Sequence, residues 1–426
     1  MVKAKWLDEL KFKISYGENG NDGGLNGYYY TNRYSIVNSN GAVSLVPSTL
    51  GKNEKLSWEK SAKFNMGFDF SMFKDRFFGT VEYYNNRTIG LITSVPYAPS
   101  FGYTSFYDNI GNMRNQGIEI DLHGVAVRTK DIEWTLFANA TWNQNRMTEL
   151  IDARKTQVCY TYDPESGAMQ QYLGYSSGNN FYSEGLSRYT YYGKKYAGVY
   201  NEQTYASTGD AAYDPAKGGM ALYYMNQYKT KADGSFEYDA NGQKVVDKVV
   251  TTTNGSTADY YLGGDMLARL HGGFGTSFSW KGFDLGLDFT YQLGGKVYDT
   301  EYASLMALTA GYAFHVDQLN AWSTANPTSN IPRINVGDSY NATSSDRFLT
   351  SATCLTLNNL TVGYTLPKHW LSRCHINKVR IFLVGDNLYT WSARKGLDPR
   401  MSATGASSGL YYSSIRSVSA GVQVGF

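Results

Sequence analysis

Asp69, Glu82, Glu119, Asp121, Asp284 and Asp288 each stand between two apolar neighbours, in stretches whose polar and apolar residues alternate. Carboxylates so placed can contact a polar solute or a docked domain, or can simply be solvated on the wet face of a strand. Catalysis would need more. No Ser and His pair at an interpretable spacing, so nucleophilic chemistry has no support. His369, Cys374 and His375 in HWLSRCH match no zinc spacing. GGDMLARLHGGFG is glycine-rich but lacks the Lys-Ser or Lys-Thr ending and the strand-to-helix setting of a phosphate loop. KADGSFEYDANG lacks the alternating acids of a calcium loop. No enzyme activity, metal or cofactor is expected. Cys159, Cys354 and Cys374 form no CxxC pair. A strand between Cys354 and Cys374 would hold them roughly 35 Å apart at about 3.3 Å per residue, whereas a disulfide needs Cα atoms within about 7 Å. Free thiols are expected.

The elements that carry the acids follow from composition and period. The chain has 37 Tyr, 20 Phe, 8 Trp and 44 Gly against 9 Pro, with 18% charged residues. Such a balance favours strands over helices. A net charge of +2 gives no electrostatic case for nucleic acid. MVKAKWLDELKFK contains no apolar stretch of signal-peptide length. No run of about eighteen apolar residues exists either, which excludes a spanning helix and leaves a spanning barrel open, whose strands are about ten residues and half polar.

The alternation is dyadic throughout. LKFKISY sets Leu10, Phe12, Ile14 and Tyr16 against Lys11, Lys13 and Ser15; FDLGLDFTYQL sets Phe283, Leu285, Leu287, Phe289 and Tyr291 against Asp284, Gly286, Asp288, Thr290 and Gln292. In CLTLNNLTVGYTL the apolar phase shifts between Leu357 and Leu360, the signature of a β-bulge. Roughly twelve strands are predicted, starting near Leu7, Trp58, Phe77, Arg114, Ile132, Leu186, Gly218, Met266, Phe283, Thr353, Lys378 and Ser413.

Their connections alternate in length. Short ones fall at MFKDR, TKD, Lys281-Gly282 and Pro367 to Asn377, with a moderate one from Asn201 to Asp210. Long ones run from Gly17 to Ser57, Leu91 to Met113, Thr148 to Gly185, Lys229 to Asp265, Gly295 to Ala352 and Ser392 to Tyr412. The stretch from Val297 to Trp322 is a candidate for a short helix outside a membrane. Segregating loop length by side is the habit of a transmembrane barrel, with short periplasmic turns and long extracellular loops. The fold expected is all-β, an antiparallel transmembrane barrel portion. The six acids then face a wet lumen, because charge toward lipid is costly. Tyr28, Tyr29 and Tyr30 fall in the first long loop and Tyr411 and Tyr412 close the last; interfacial girdle or loop packing, partner contact and direct stacking on a substrate are the roles open to them.

Several stretches carry a family resemblance. NIGNMRNQGIEIDL (109–122), WEKSAKFNMGFDFSMFKDRFFGTVEYYNNRT (58–88), LTLNNLTVGYTLPKHWL and VRIFLVGDNLYTWSARKGLDP (355–399), with LKFKISYGENGN near the start, resemble the SusC/RagA family of TonB-linked outer-membrane receptors of Bacteroidetes. Members of that family have a barrel of about twenty-two strands whose lumen is plugged. The resemblance implies that residues 1–426 are one domain, the C-terminal part of such a barrel. The signal peptide, TonB-contact segment and plug would then be absent ahead of Lys11.

It also implies import of oligosaccharides or peptides with a SusD-like surface lipoprotein, energised by the TonB complex through the missing N-terminal part. The six acids become candidates for substrate or plug contact, and the loop tyrosines for partner contact. SIRSVSAGVQVGF, with Val422, Val424 and terminal Phe426, resembles the C-terminal signal read by the outer-membrane assembly machinery. With about half the strands and two unpaired edges, which a bilayer does not tolerate, the chain alone is expected neither to insert stably nor to transport. A soluble or surface-attached all-β carbohydrate-binding module is the competing reading. It requires two sheets packed face to face.

Overall fold

The computed structural model describes residues 6–22, 25, 29–39, 41–96, 98, 100, 102–240, 242–308, 311–371, 376–401 and 414–426. Ten strands pair in one antiparallel sheet, neighbours in space following neighbours in sequence. They are β1 (Leu7–Asn21), β2 (Glu59–Met72), β3 (Phe77–Ile89), β4 (Gly111–Arg128), β5 (Ile132–Leu150), β6 (Leu270–Trp280), β7 (Phe283–Leu293), β8 (Cys354–Thr365), β9 (Lys378–Ser392) and β10 (Ser417–Gly425). The sheet is open, with β1 and β10 at its edges. Among the described residues no helix is long and apolar enough to cross a membrane.

Register turns the dyad pattern of each strand into two continuous surfaces. Phe12, Phe68, Val81, Ile120 and Ala140 are successive partners across β1 to β5. One residue along, Lys13, Gly67, Glu82, Glu119 and Thr141 are partners on the opposite face. The apolar face is not covered by a second sheet: Phe12 and Ile14 at one edge and Val418 and Val422 at the other are each more than 60% exposed. A sandwich would bury these side chains, so the binding-module reading fails here.

Aromatic residues mark two levels of this apolar face. Tyr83 and Trp142 flank Ile118 near the long-loop end, and Trp280, Phe283 and Tyr364 are register partners near the short-turn end. On β5, Trp134 and Trp142 lie about 27 Å apart along the strand at about 3.4 Å per residue. A tilt of about 40° leaves about 20 Å along the normal, comparable with the apolar band of a membrane barrel.

The turns at one end are tight for local reasons. Lys281 and Gly282 both have positive φ (47° and 92°), the mirror-image two-residue turn that fits strand twist. Phe73, Lys74 and Asp75 are also left-handed, and the Asp8 carboxylate accepts the backbone N–H groups of Lys74 and Asp75 at 2.5 and 3.1 Å. The bulge in β8 falls where the phase shift put it: Leu357 pairs with Phe289 and Asn359 with Asp288, leaving Asn358 unpaired in the ladder. Asn358 uses its side-chain oxygen to accept from Arg400 at 3.0 Å.

Two predicted strands are not in the sheet. The stretches near Leu186 and Gly218 belong to an insertion between β5 and β6. Within it Gln157–Tyr162, Met169–Ser177, Asn180–Ser183, Thr190–Lys194 and Tyr260–Asp265 form a small closed barrel, while Tyr196–Val199, Ala221–Tyr228 and Val246–Thr252 form a three-stranded sheet. These strands are short and some are buried on both sides; Ala221, Leu222 and Tyr223 are consecutive and all inaccessible. Removing two strands keeps the parity even, so both ends of the sheet stay on one side. The moderate link from Asn201 to Asp210 is no membrane turn but a 3-10 turn, Tyr205–Thr208, inside the insertion.

The long β7–β8 connection contains the expected helix, α1 (Thr300–Met306), with the Asp299 side chain capping Tyr302 N–H at 3.0 Å. This connection is tied to the insertion. Arg333 donates to the carbonyls of Ala216 and Gly218, both at 2.8 Å, and Tyr223 donates to the Tyr340 carbonyl at 2.8 Å. The compact apolar cores lie at this long-loop end, for example Leu91, Val95, Ile110, Met113, Met147, Leu150, Tyr175 and Tyr182.

Candidate functional site

The polar face gathers four of the six singled-out acids. Lys13 on β1 reaches Asp69 on β2 at 2.8 Å and Glu82 on β3 at 2.7 Å. It reaches Glu82 across an intervening strand because the residue between them in register is Gly67, where a Cβ would come within 2.7 Å of Glu82 Cγ. Thr80 donates to Asp69 at 2.9 Å. Glu119 stands opposite Glu82, Asp121 opposite Thr80, and His123 Nε2 lies 3.2 Å from Asp121. Lys11 stands opposite Asp69 in register, so two ammonium groups against four carboxylates leave a net negative strip over β1 to β4.

Asp284 and Asp288 lie apart from this strip, on β7. Asp284 pairs with Arg380 on β9, with Nε to Oδ1 at 3.0 Å, again reaching over a strand at a glycine. A Cβ on Gly363 would lie 2.6 Å from the Asp284 carboxylate and 2.7 Å from the Arg380 guanidinium. Asp288 is opposite Asn359, and Asn359 donates to Asp386 at 2.7 Å. Between the two acidic regions β5 and β6 contribute Asn139, Thr141, Gly273 and Gly275, a neutral polar strip. The wall therefore suits a hydrated solute or a docked polar surface. Among the described residues, no group of three or more His, Cys, Asp or Glu is placed to hold a metal.

Lys13 was placed on the polar face by its run but not singled out for the site, and Arg380 and Asp386 were missed. Lys13 and Arg380 share the parity of the acids in their alternating runs, which is the signal that could have singled them out. Asp386 was hidden because Asn387, left-handed at φ 49°, breaks the alternation beside it.

In the first loop, Tyr29 packs edge-on to Tyr107 (4.8 Å between centroids) under the Arg33 guanidinium (4.4 Å), and Tyr30 is exposed. Tyr28, Tyr411, Tyr412, Cys374 and His375 lie outside the described residues. Cys159 and Cys354 are buried free thiols, and burial pushes the Cys159 thiol up to about 12. Val422, Val424 and Phe426 all sit exposed on the apolar face at the β10 edge.

Residues 2–219 match the family described as TonB dependent receptor-like, beta-barrel. The chain belongs to this family. TonB-dependent receptors similar to it include one from Formosa agariphila, 28% identical over 91% of this chain and 35% of its own length, and SusC of Bacteroides thetaiotaomicron, 24% identical over 93% and 35%. Among solved structures, the RagAB peptide transporter aligns with 99% of this chain and 41% of its own, with 26% identity and a TM-score of 0.72. The chain thus spans little more than a third of the length of these receptors. As a TonB-dependent receptor barrel it is an outer-membrane β-barrel protein. The tight turns are periplasmic and the insertion and long connections extracellular. The relatives are named as receptors and transporters, not as enzymes.

The extracellular unit of this receptor carries buried acids with a pH consequence. Asp346 takes the Tyr196 N–H at 2.7 Å, with Lys195 at 3.7 Å. Burial nevertheless raises its carboxyl above the ordinary 3.8, and burial raises Asp259 likewise. A carboxyl raised in the folded state supports folding fully below the unfolded value and loses that support as pH rises through the folded value. Asp346→Asn should therefore unfold later than the parent at pH 7, the difference closing at pH 4. Limited proteolysis of the extracellular loops against temperature checks this. Equal stability at both pH values would refute the assignment.

Proposed function

We propose that this chain forms the C-terminal share of a receptor barrel, residues 1–426 acting as one barrel domain that imports oligosaccharides or peptides. A SusD-like lipoprotein would serve at the extracellular face and the TonB complex would supply the energy. The observation that carries the reading is the continuous polar face from β1 to β10 backed by an uncovered apolar face, the arrangement of a wall between lipid and a wet lumen. The likeness to RagAB, named a peptide transporter, and to SusC supports it.

On this reading Asp69, Glu82, Glu119 and Asp121 form a negative strip for a basic surface, either a plug or a cationic substrate. Asp284 and Asp288 meet the lumen contents further around the wall. Exposed Tyr30, beside Tyr29, serves the partner side. Val422, Val424 and Phe426 present the edge strand to the assembly machinery.

The test is uptake in cells whose only receptor of this kind contains this sequence, offered fluorescent maltooligosaccharides and fluorescent oligopeptides. Accumulation of one class is expected, lost when TonB is deleted or the proton-motive force is collapsed. Accumulation that survives both treatments would make the protein a passive pore. No accumulation of either class would remove the import reading.

A further inference from the structure

Arg114 on β4 is the direct register partner of Arg87 on β3 and of Arg146 on β5, so three arginines stand abreast on neighbouring strands. All three have the parity of the apolar face. Arg146 continues the series Ala138, Ala140, Trp142 and Gln144, and Arg114 precedes Gln116, Ile118 and Ile120. Met113 and Met147, one residue along, point the other way and are buried under the extracellular unit. The guanidinium row therefore faces outward, away from lumen and insertion. Arg87 and Arg146 are exposed, and among the described residues none of the three has an ion-pair partner.

Like charges directly opposite on adjacent strands repel, with side chains starting only about 5 Å apart. Little on the wall itself offsets this. Gln144 beside the row is held by Gln116, whose amide nitrogen donates to the Gln144 amide oxygen at 3.0 Å. Glu18 on β1, two strands from Arg87 in register, is engaged by the Tyr16 hydroxyl at 2.6 Å. Glu149, one level further out, takes the Asn112 amide. Exposed Lys60 on β2 has the same outward parity and adds charge beside the row.

Height decides what could neutralise it. Arg146 is four residues beyond girdle residue Trp142, about 13 Å along the strand and about 10 Å along the normal at a tilt near 40°. Headgroups occupy the layer some 5–8 Å outside each face of the hydrocarbon core. Trp134 and Trp142 span only about 20 Å of a core about 30 Å thick, so Trp142 lies about 5 Å inside the core face and the row about 5 Å outside it. That is the level of outer-leaflet headgroups, where guanidinium pairs phosphate in bidentate fashion. We propose that Arg87, Arg114 and Arg146 bind the phosphates of an outer-leaflet lipid, a bisphosphorylated headgroup of the lipid A type, on the outside wall of the barrel.

The test extracts the receptor from outer membranes in mild detergent and measures retained lipid A by native mass spectrometry, with folding verified by the heat-modifiable band. Each basic residue at an anionic surface contributes roughly a fivefold gain, so the triple variant R87Q/R114Q/R146Q should lose roughly a hundredfold in lipid A affinity. Dephosphorylated lipid A should be retained no better by wild type than by the variant, and millimolar inorganic phosphate should not displace the bound lipid. Undiminished retention by the folded variant would overturn the proposal. So would displacement by inorganic phosphate, which would mark a free-anion site. Should the variant fail to fold, the wild type decides alone: equal retention of phosphorylated and dephosphorylated lipid A would overturn it.

Discussion

Arginine in place of Leu122 is expected to destabilise the membrane-inserted protein by about 2–4 kcal/mol, whereas Asp121→Arg, one residue away, should change stability by about 0.5 kcal/mol or less. The contrast follows from register. Leu122 pairs with Gly79 on one side and Ala138 on the other, and Ala138 is midway between Trp134 and Trp142 on β5. Leu122 is therefore near the middle of the apolar band, where a guanidinium must thin the bilayer or stretch to the interface. Asp121 has the opposite parity, among Thr80, Asn139 and His123, where a cation gains water and neighbouring carboxylates. Urea titration of the heat-modifiable band of a receptor containing this chain, in lipid vesicles, measures both variants. Equal loss from the two substitutions would mean that the faces are not lipid and lumen.

Tyr223→Ala should cost the extracellular unit about 3–5 kcal/mol. The ring is inaccessible, clustered with Ala221 and Ala258 and edge-on to Tyr196 at 5.9 Å. Its hydroxyl also holds the β7–β8 connection through the Tyr340 carbonyl. Truncation removes the packing and releases that tie together. Tyr223→Phe keeps the ring and should cost only about 1 kcal/mol. Protease cleavage near residues 335–345 reports the release, while the heat-modifiable band should persist because the membrane sheet shares none of these contacts. Loss of the band in Tyr223→Ala would show that the two parts fold as one unit.

The ten sheet strands were legible because one face of each must be apolar where it crosses the membrane, so the period of two survives in runs such as LKFKISY and FDLGLDFTYQL. Even the bulge at Asn358 was visible as a slip of phase. The insertion was not legible as such. In YTYYGKKYAGVY tyrosine supplies an apolar ring and a polar hydroxyl at successive positions, so it favours neither face, and strands buried on both sides have no reason to alternate. The six acids were found by parity alone. Their partners were not, since Lys13 meets Glu82, and Asp284 meets Arg380, only through register fixed by turns and through Gly67 and Gly363, which let side chains pass across a strand.

The central claim is that one face of the ten-stranded sheet meets lipid and the other a wet lumen. The direct measurement is a nitroxide scan of β5 from Trp134 to Trp142 in membranes, comparing collisions with oxygen, which partitions into lipid, and with a water-soluble nickel chelate. Oxygen maxima are predicted at Trp134, Leu136, Ala138, Ala140 and Trp142, and nickel maxima at Thr135, Phe137, Asn139 and Thr141, the two profiles out of phase with a period of two. Profiles in phase, or nickel reaching Ala138 as freely as Asn139, would contradict the account.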